Sequence, residues 1–292
     1  MSSRVDVPVT GGELATYRLD PDNAGAPAVL AIHGLTSSSR SWLAAARALG
    51  GRARVVAPDL RGRGASNELP EPFGIDAHVR DLLAVLDHLE LERVVVAGHS
   101  LGAYIAARLA MQHPERVDHL VLVDGGLKIP DSEGVDPERF LERFLGPSYE
   151  RLEMTFESPA AYRAWWDEHP AFAGSDIDSR DLDEYARHDL VGSPPSLRPA
   201  VNPKVIAGDG RDLFEPRDAL TLSVPAVLLC APRGMVDDPH PMQPLALVRE
   251  WAQADAARRR AVAVPDVNHF TIVLGRAGAE AVAGEIARAL AT

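Results

Sequence analysis

Ser100 stands in Gly98-His99-Ser100-Leu101-Gly102, between an apolar run at 93–97 and an alanine-rich stretch at 101–113. The run reads as a buried strand and the stretch as a helix. A serine on so tight a strand-to-helix turn needs neighbours without side chains two positions away on either side. Its hydroxyl can then stand at the top of a sheet while the next backbone N–H faces the same space. A serine hydroxyl is a poor nucleophile at neutral pH, so it needs a base within hydrogen-bond reach, and a third group must orient that base. The bland alternative is a strand–helix turn that merely contains a serine.

The elements that would carry such a site follow a simple rhythm. Apolar runs at 28–32, 54–57, 94–97, 120–123, 226–230 and 261–264 alternate with helical stretches at 41–49, 76–89, 101–113, 242–254 and 277–291. The runs lack in–out alternation, which predicts parallel strands covered on both faces. Ahead of them, strands at 5–9 and 13–19 flank Thr10-Gly11-Gly12, a hairpin signal. Between residues 127 and 215 the rhythm breaks: there is no strand run, charges are many, and Gly146-Pro147 and Gly192-Ser193-Pro194-Pro195 act as breakers.

Three further motifs stand at strand ends. His33-Gly34 closes the run at 28–32, Asp59-Leu60-Arg61-Gly62-Arg63-Gly64 follows 54–57, and Asn268-His269 follows 261–264. With Gly-x-Ser-x-Gly, their order and spacing resemble the α/β-hydrolase family over nearly the whole chain. The resemblance implies an α/β fold: a mostly parallel eight-stranded sheet flanked by helices, with a helical cap inserted after the sixth strand. It divides the chain into a core of residues 1–126 and 216–292 and a cap of 127–215. It makes Ser100 the nucleophile and, by the order serine, acid, histidine, His269 the general base. It puts the oxyanion hole at the backbone N–H of Leu101, after the nucleophile, and of Leu35, after His33-Gly34. The family most often carries its acid in a Gly-x-x-Asp-like turn after the seventh strand. Here that turn, Ala231 to Asp238, has Met235 in the carboxylate's place and acids only at Asp237 and Asp238. The other family location, the end of the sixth strand, holds Asp124. Asp124 is taken as the acid, with Asp237 and Asp238 as alternatives. His33 and His99 read as structural or pocket-lining, and Thr36 to Ser39 as the cap of the helix near Ser41. Asp59 and Arg61 read as a pair tying their loop to the core. Arg233, near the late strand ends, reads as a surface side chain, with a substrate carboxylate as the sharper alternative.

Residues 127–215 hold ten of the sixteen aromatic residues, among them Phe140, Trp165, Trp166 and Phe214. Some must build the cap's own core. Trp165 and Trp166 are assigned to substrate binding, because small-molecule pockets are lined mainly by apolar and aromatic groups. The expected function is a serine hydrolase forming an acyl-enzyme from an ester, lactone or thioester of a fairly apolar small molecule. A ligand-binding sensor with little turnover is the second reading, and a carbon–carbon bond hydrolase on the same triad is a further alternative. A net charge of −12 argues against nucleic acid as a partner. The one basic triplet, Arg258-Arg259-Arg260, reads as a solvated turn. No cofactor or metal is expected, since Cys/His ligand spacing and a phosphate-cradling glycine loop are both missing. The single cysteine, Cys230, permits no intrachain disulfide and reads as a small buried hydrophobe. Without a signal-like or membrane-spanning apolar stretch, no membrane association and a cytoplasmic location are expected. A homodimer stays open.

Overall fold

The computed structural model describes residues 2–19, 25–129, 136–214 and 221–292, except the side chains of residues 137, 138, 140 and 214. The expected cap boundary at 215 and the aromatic rings of Phe140 and Phe214 therefore lie outside the described residues.

Strand β1 (Ser3–Val9) pairs antiparallel with β2 (Gly12–Arg18), and Val9 faces Gly12 across a tight turn. Gly11 takes φ +89° there, a conformation that costs a residue without a side chain little. Next come β3 (Ala28–Ile32), α1 (Leu43–Leu49), β4 (Arg54–Pro58), α2 (Ile75–His88), β5 (Val94–His99), α3 (Leu101–Gln112) and β6 (Val117–Val123). The intervening cap segment carries α4 (Pro137–Leu145), α5 (Pro147–Glu150), α6 (Pro159–Asp167), α7 (Ser179–His188), β7 (Leu190–Val191), β8 (Arg198–Pro199) and α8 (Pro203–Phe214). The core then resumes with β9 (Ala226–Cys230), α9 (Leu245–Gln253), β10 (Arg259–Ala263), α10 (Thr271–Leu274) and α11 (Arg276–Leu290). The main sheet has eight strands in the order β1-β2-β4-β3-β5-β6-β9-β10. Only the β1–β2 and β2–β4 pairings are antiparallel.

Every residue of β3, β5 and β9 is buried, as continuous apolar runs require when helices cover both faces. Parallel strands all point one way, so the C-terminal ends of β3, β5, β6 and β9 gather at one edge of the sheet. The four loops leaving that edge carry Leu35, Ser100, Asp124 and Met235.

Two local expectations are corrected. The cap was read without strands, yet β7 and β8 form an antiparallel pair with Leu190 opposite Pro199. Each is only two residues long, too short to leave an apolar run, and the Gly192 to Pro195 breaker is their turn. The arginine triplet is not all turn: Arg259 and Arg260 pair with Ala226 and Val227 on the exposed edge of the sheet. Arg260 Nη1 there lies 2.8 Å from Glu285 Oε2.

The cap is seated by polar groups. The N-terminus of α2 has backbone donors without intrahelical partners. Asp209 and Asp212 of α8 supply them, accepting from Gly74 N–H and Ile75 N–H at 2.6 Å each. Among the described residues, no helix is long and apolar enough to cross a membrane.

Candidate active site

Ser100 joins β5 to α3 at φ +54° and ψ −123°, a strained conformation for a residue with a side chain. The chain can turn this sharply only because its flanks are bare. A Cβ on Gly98 would lie 2.2 Å from Gly102 O, and one on Gly102 would lie 2.1 Å from Ile32 O. Ser100 N–H donates to Val123 O at 3.0 Å, tying the turn to the end of β6.

One residue beyond β6, Asp124 sits fully buried at φ +45°. Its Oδ2 accepts from His269 Nδ1 at 2.7 Å, and its Oδ1 accepts from Ala231 N–H at 3.1 Å. This bond fixes the imidazole proton on Nδ1 and leaves Nε2 free to accept another. His99 reaches the same loop from inside the elbow: its Nε2–H donates to His269 O at 2.8 Å, and the rings lie 4.7 Å apart. Burial and the neighbouring His269 hold the His99 pKa well down, so its ring is a neutral strut. Asn268 anchors the loop's other side. Its Oδ1 accepts from Phe270 N–H and Thr271 N–H, while its Nδ2 donates to Ala171 O in the cap.

Ser100 and His269 share one cleft with Leu35, Met235 and Phe270, and with Leu145 from the cap. The cleft spans about 370 Å³ of empty space, open solvent included, but it is so narrow that it has room for little more than a water molecule. Among the described residues its wall contains no Asp, Glu, Lys or Arg. The N–H groups of Leu35 and Leu101 have no hydrogen-bond partner among the described residues. The Leu35 N–H belongs to the peptide whose carbonyl, Gly34 O, accepts from His33 Nδ1–H at 2.8 Å. In a trans peptide the two groups point in opposite directions, so His33 aims the Leu35 donor away from itself. Burial lowers the His33 pKa to about 3, and its neutral Nε2 accepts from Leu60 N–H at 2.9 Å.

A family model of the alpha/beta hydrolase fold matches residues 27–214, more than half of the chain. The chain belongs to the α/β-hydrolase fold family. It is 43% identical over 103 residues to an uncharacterised protein of Mycobacterium tuberculosis, covering 34% of this chain and 29% of that one. It is 36% identical over 169 residues to lipase LipV of the same organism, covering 57% of this chain and 61% of the lipase. The aligned parts thus span less than two thirds of these curated relatives. The solved structure of E-2-(acetamidomethylene)succinate hydrolase shares the fold, with a TM-score of 0.80 over 100% of both chains at 18% identity.

Within this family frame, several residues stand elsewhere than the sequence reading put them. Neither Asp237 nor Asp238 meets His269. Asp237 accepts from Asn268 Nδ2 at 2.9 Å and from Arg233 Nη1 at 3.0 Å, while Asp238 accepts from His240 N–H at 2.9 Å. Arg233 also donates to Asp266 O and is partly exposed, in line with its reading as a surface side chain. Trp165 and Trp166 do not line the cleft among the described residues. Trp166 is fully buried in the cap core, stacked on Phe172 at 5.1 Å and edge-on to Tyr185 at 5.4 Å, with Trp165 against it at 4.9 Å. The Asp59–Arg61 pair does not form. Arg61 makes a two-point bond to Asp81, with both distances near the norm at 2.9 and 2.8 Å, and Asp59 accepts from Ser39 N–H and lies 2.7 Å from His188 Nε2. Cys230 is buried beside Asp124, and burial pushes its thiol up to about 11. His99 is the structural and cleft-lining residue its reading expected. Asn268, Met235 and Leu145 were missed as site residues; Asn268 carried a signal, since it adjoins His269.

Proposed function

We propose that this protein is a serine hydrolase that cleaves an ester or lactone of a small, uncharged, fairly apolar molecule. The observation that carries the reading is the His269 Nδ1–Asp124 Oδ2 bond of 2.7 Å on an imidazole that shares its cleft with Ser100. His269 Nε2 takes the Ser100 proton as Oγ attacks the substrate carbonyl. The Leu35 and Leu101 N–H groups stabilise the oxyanion, and Asp124 stabilises the imidazolium. The imidazolium then protonates the leaving alcohol as the acyl–oxygen bond breaks. Water, deprotonated by the same Nε2, attacks the acyl-enzyme and returns Ser100 Oγ–H with release of the acid.

An apolar, uncharged substrate is supported by a wall of Leu35, Leu145, Met235 and Phe270, and by the lipase among the relatives. The test is labelling by a serine-directed organophosphonate, with turnover of p-nitrophenyl butyrate measured alongside. Stoichiometric labelling that is lost in Ser100→Ala, together with turnover, is expected. Labelling with negligible turnover across esters and lactones would replace the hydrolase by a ligand sensor, and an unlabelled Ser100 would end the reading.

A further inference from the structure

Three consecutive carbonyls in the loop after β3 are each held by a buried side chain. Gly34 O accepts from His33, Leu35 O from Arg63 Nε at 2.9 Å, and Thr36 O from Arg151 Nη2 at 2.9 Å. The next residue is held too, as Tyr185 O–H donates to Ser37 Oγ at 3.2 Å. With these carbonyls turned outward, the peptides between residues 34 and 37 cannot rotate, and the Leu35 N–H keeps its direction.

Two of these holders, Arg151 in the turn after α5 and Tyr185 in α7, belong to the cap. A third, Arg63, is joined to the cap through Asp209 of α8, whose Oδ2 lies 2.5 Å from Arg63 Nη2. Arg151 is likewise paired with Asp189 and bonded to Tyr162 O–H. Both ion pairs are fully buried, where a guanidinium without its partner would be strongly destabilising. Trp166 braces the arrangement, with Arg151 Cζ 4.8 Å from its ring and Tyr185 on its edge. Docking alone does not require this design. The cap already has carboxylates on the N-terminus of α2, and Asp181 of α7 bonds Arg47 of the core. Arg151 and Tyr185 instead reach the loop that carries the Leu35 oxyanion donor.

We propose that Arg151 and Tyr185 are positioning residues of the oxyanion hole, through which the seated cap keeps the Leu35 N–H aimed at the developing oxyanion. The role rests on the serine-hydrolase reading; the physical clamp does not.

The test compares wild type with Arg151→Met/Asp189→Asn, which removes both buried charges together. Tyr185→Phe serves as a milder variant and Arg151→Lys as the conservative one. Amide hydrogen exchange across residues 35–38 reads the clamp without any turnover. Turnover of p-nitrophenyl butyrate, and inhibition by an alkyl trifluoromethyl ketone whose Ser100 adduct carries an oxyanion, read its role. In the double variant, loop exchange should quicken at least about tenfold, and kcat should fall about tenfold to a hundredfold with KM unchanged. Ketone affinity should fall by the same factor. Tyr185→Phe should move all three in the same direction by about threefold, and Arg151→Lys should restore most of the loss. Unchanged loop exchange in both the double variant and Tyr185→Phe overturns the clamp, whatever the activity. A loosened loop with kcat and ketone affinity intact overturns the positioning role. If wild-type Ser100 is neither labelled nor active, the hydrolase reading fails and the positioning role falls with it, while exchange still decides the clamp.

Discussion

Asp124→Asn isolates the orienting acid. Asp124 is fully buried and uses both oxygens, Oδ2 toward His269 Nδ1 and Oδ1 toward Ala231 N–H. An asparagine in the same pose keeps its oxygen on Ala231 and presents its amide N–H₂ to His269 Nδ1. Two donors cannot face each other, so the imidazole proton moves to Nε2, the nitrogen that must stay free to deprotonate Ser100. Flipping the amide restores the tautomer but sets its N–H₂ against Ala231 N–H, and a buried unsatisfied donor costs about 1–3 kcal/mol. In either pose the anion that faces the imidazolium in the transition state is gone. The loss of kcat should be about 10⁴, or about 5 kcal/mol of barrier. KM should stay within a few-fold, because Asp124 is not part of the cleft wall among the described residues. Steady-state turnover of p-nitrophenyl butyrate measures both, with organophosphonate labelling rates as a check on Ser100 itself. Asp237→Asn and Asp238→Asn are the controls and should each lose less than about tenfold, since neither carboxylate meets His269. Turnover of Asp124→Asn within about tenfold of wild type, or a loss near 10³ in either control, would refute the assignment.

Met235→Ala removes a flexible side chain from the cleft wall, so the preferred acyl chain should lengthen by about two carbons. A chain-length series of p-nitrophenyl esters shows it, and an unmoved optimum counts against this wall as the acyl site. Gly102→Ala sets a methyl 2.1 Å from Ile32 O, where backbone must move. It should cost about 3 kcal/mol or more, read as a lower urea midpoint; a midpoint equal to wild type would mean the elbow is not packed as described. Burial holds the native His33 pKa at about 3, against about 6.5 in an unfolded chain. The unfolded state therefore binds the extra proton between those values, so this contribution to stability is complete above about pH 6.5 and is lost as pH falls toward 3. Asp59 overlaps only the acid end of that window, because its contribution is lost as pH falls from about 3.8. Burial raises it, but the His188 hydrogen bond and charge outweigh burial and bring it to about 2. Urea midpoints should climb with pH across the window, with a flatter slope in His33→Asn; an equal slope would mean that the native ring titrates normally.

The parts legible in the sequence are those where one physical demand dictates residue type. Strands buried on both faces must be apolar throughout, so β3, β5 and β9 announce themselves. An elbow that brings Gly98 and Gly102 against backbone oxygens must place glycine there. The acid was less legible because aspartates occupy both places from which a loop can reach His269. Only the coordinates show Asp124 on the imidazole and Asp237 on Asn268. Trp165 and Trp166 were misplaced because composition reports that a cap has aromatics, not which side of its helices they pack on. Arg63 went unremarked for a related reason. Its partners, Leu35 O and Asp209, lie on other elements, and nothing near residue 63 marks a guanidinium for burial.

The distribution of charge ties the cap's architecture to the substrate it would admit. A quarter of the residues are charged, yet the cleft wall at Ser100 has none of them among the described residues. Two cations that contact the loop after β3, Arg63 and Arg151, are fully buried. Arg63 and Arg151 direct their donors at carbonyls of the loop after β3 and at Asp209 and Asp189. A substrate carboxylate entering the cleft would lose its water and find no cation in the wall among the described residues to replace it, an expensive desolvation. An oxyanion formed during acyl transfer meets different surroundings. In the proposed mechanism it would arise at the Leu35 and Leu101 N–H groups, which are unpaired among the described residues, so their dipoles need no reorganisation. In the proposed hydrolase, burying Arg63 of the core and Arg151 of the cap against carbonyl groups would exclude charged ground states and still leave a charged transition state stabilised. That asymmetry is what a hydrolase of neutral esters requires.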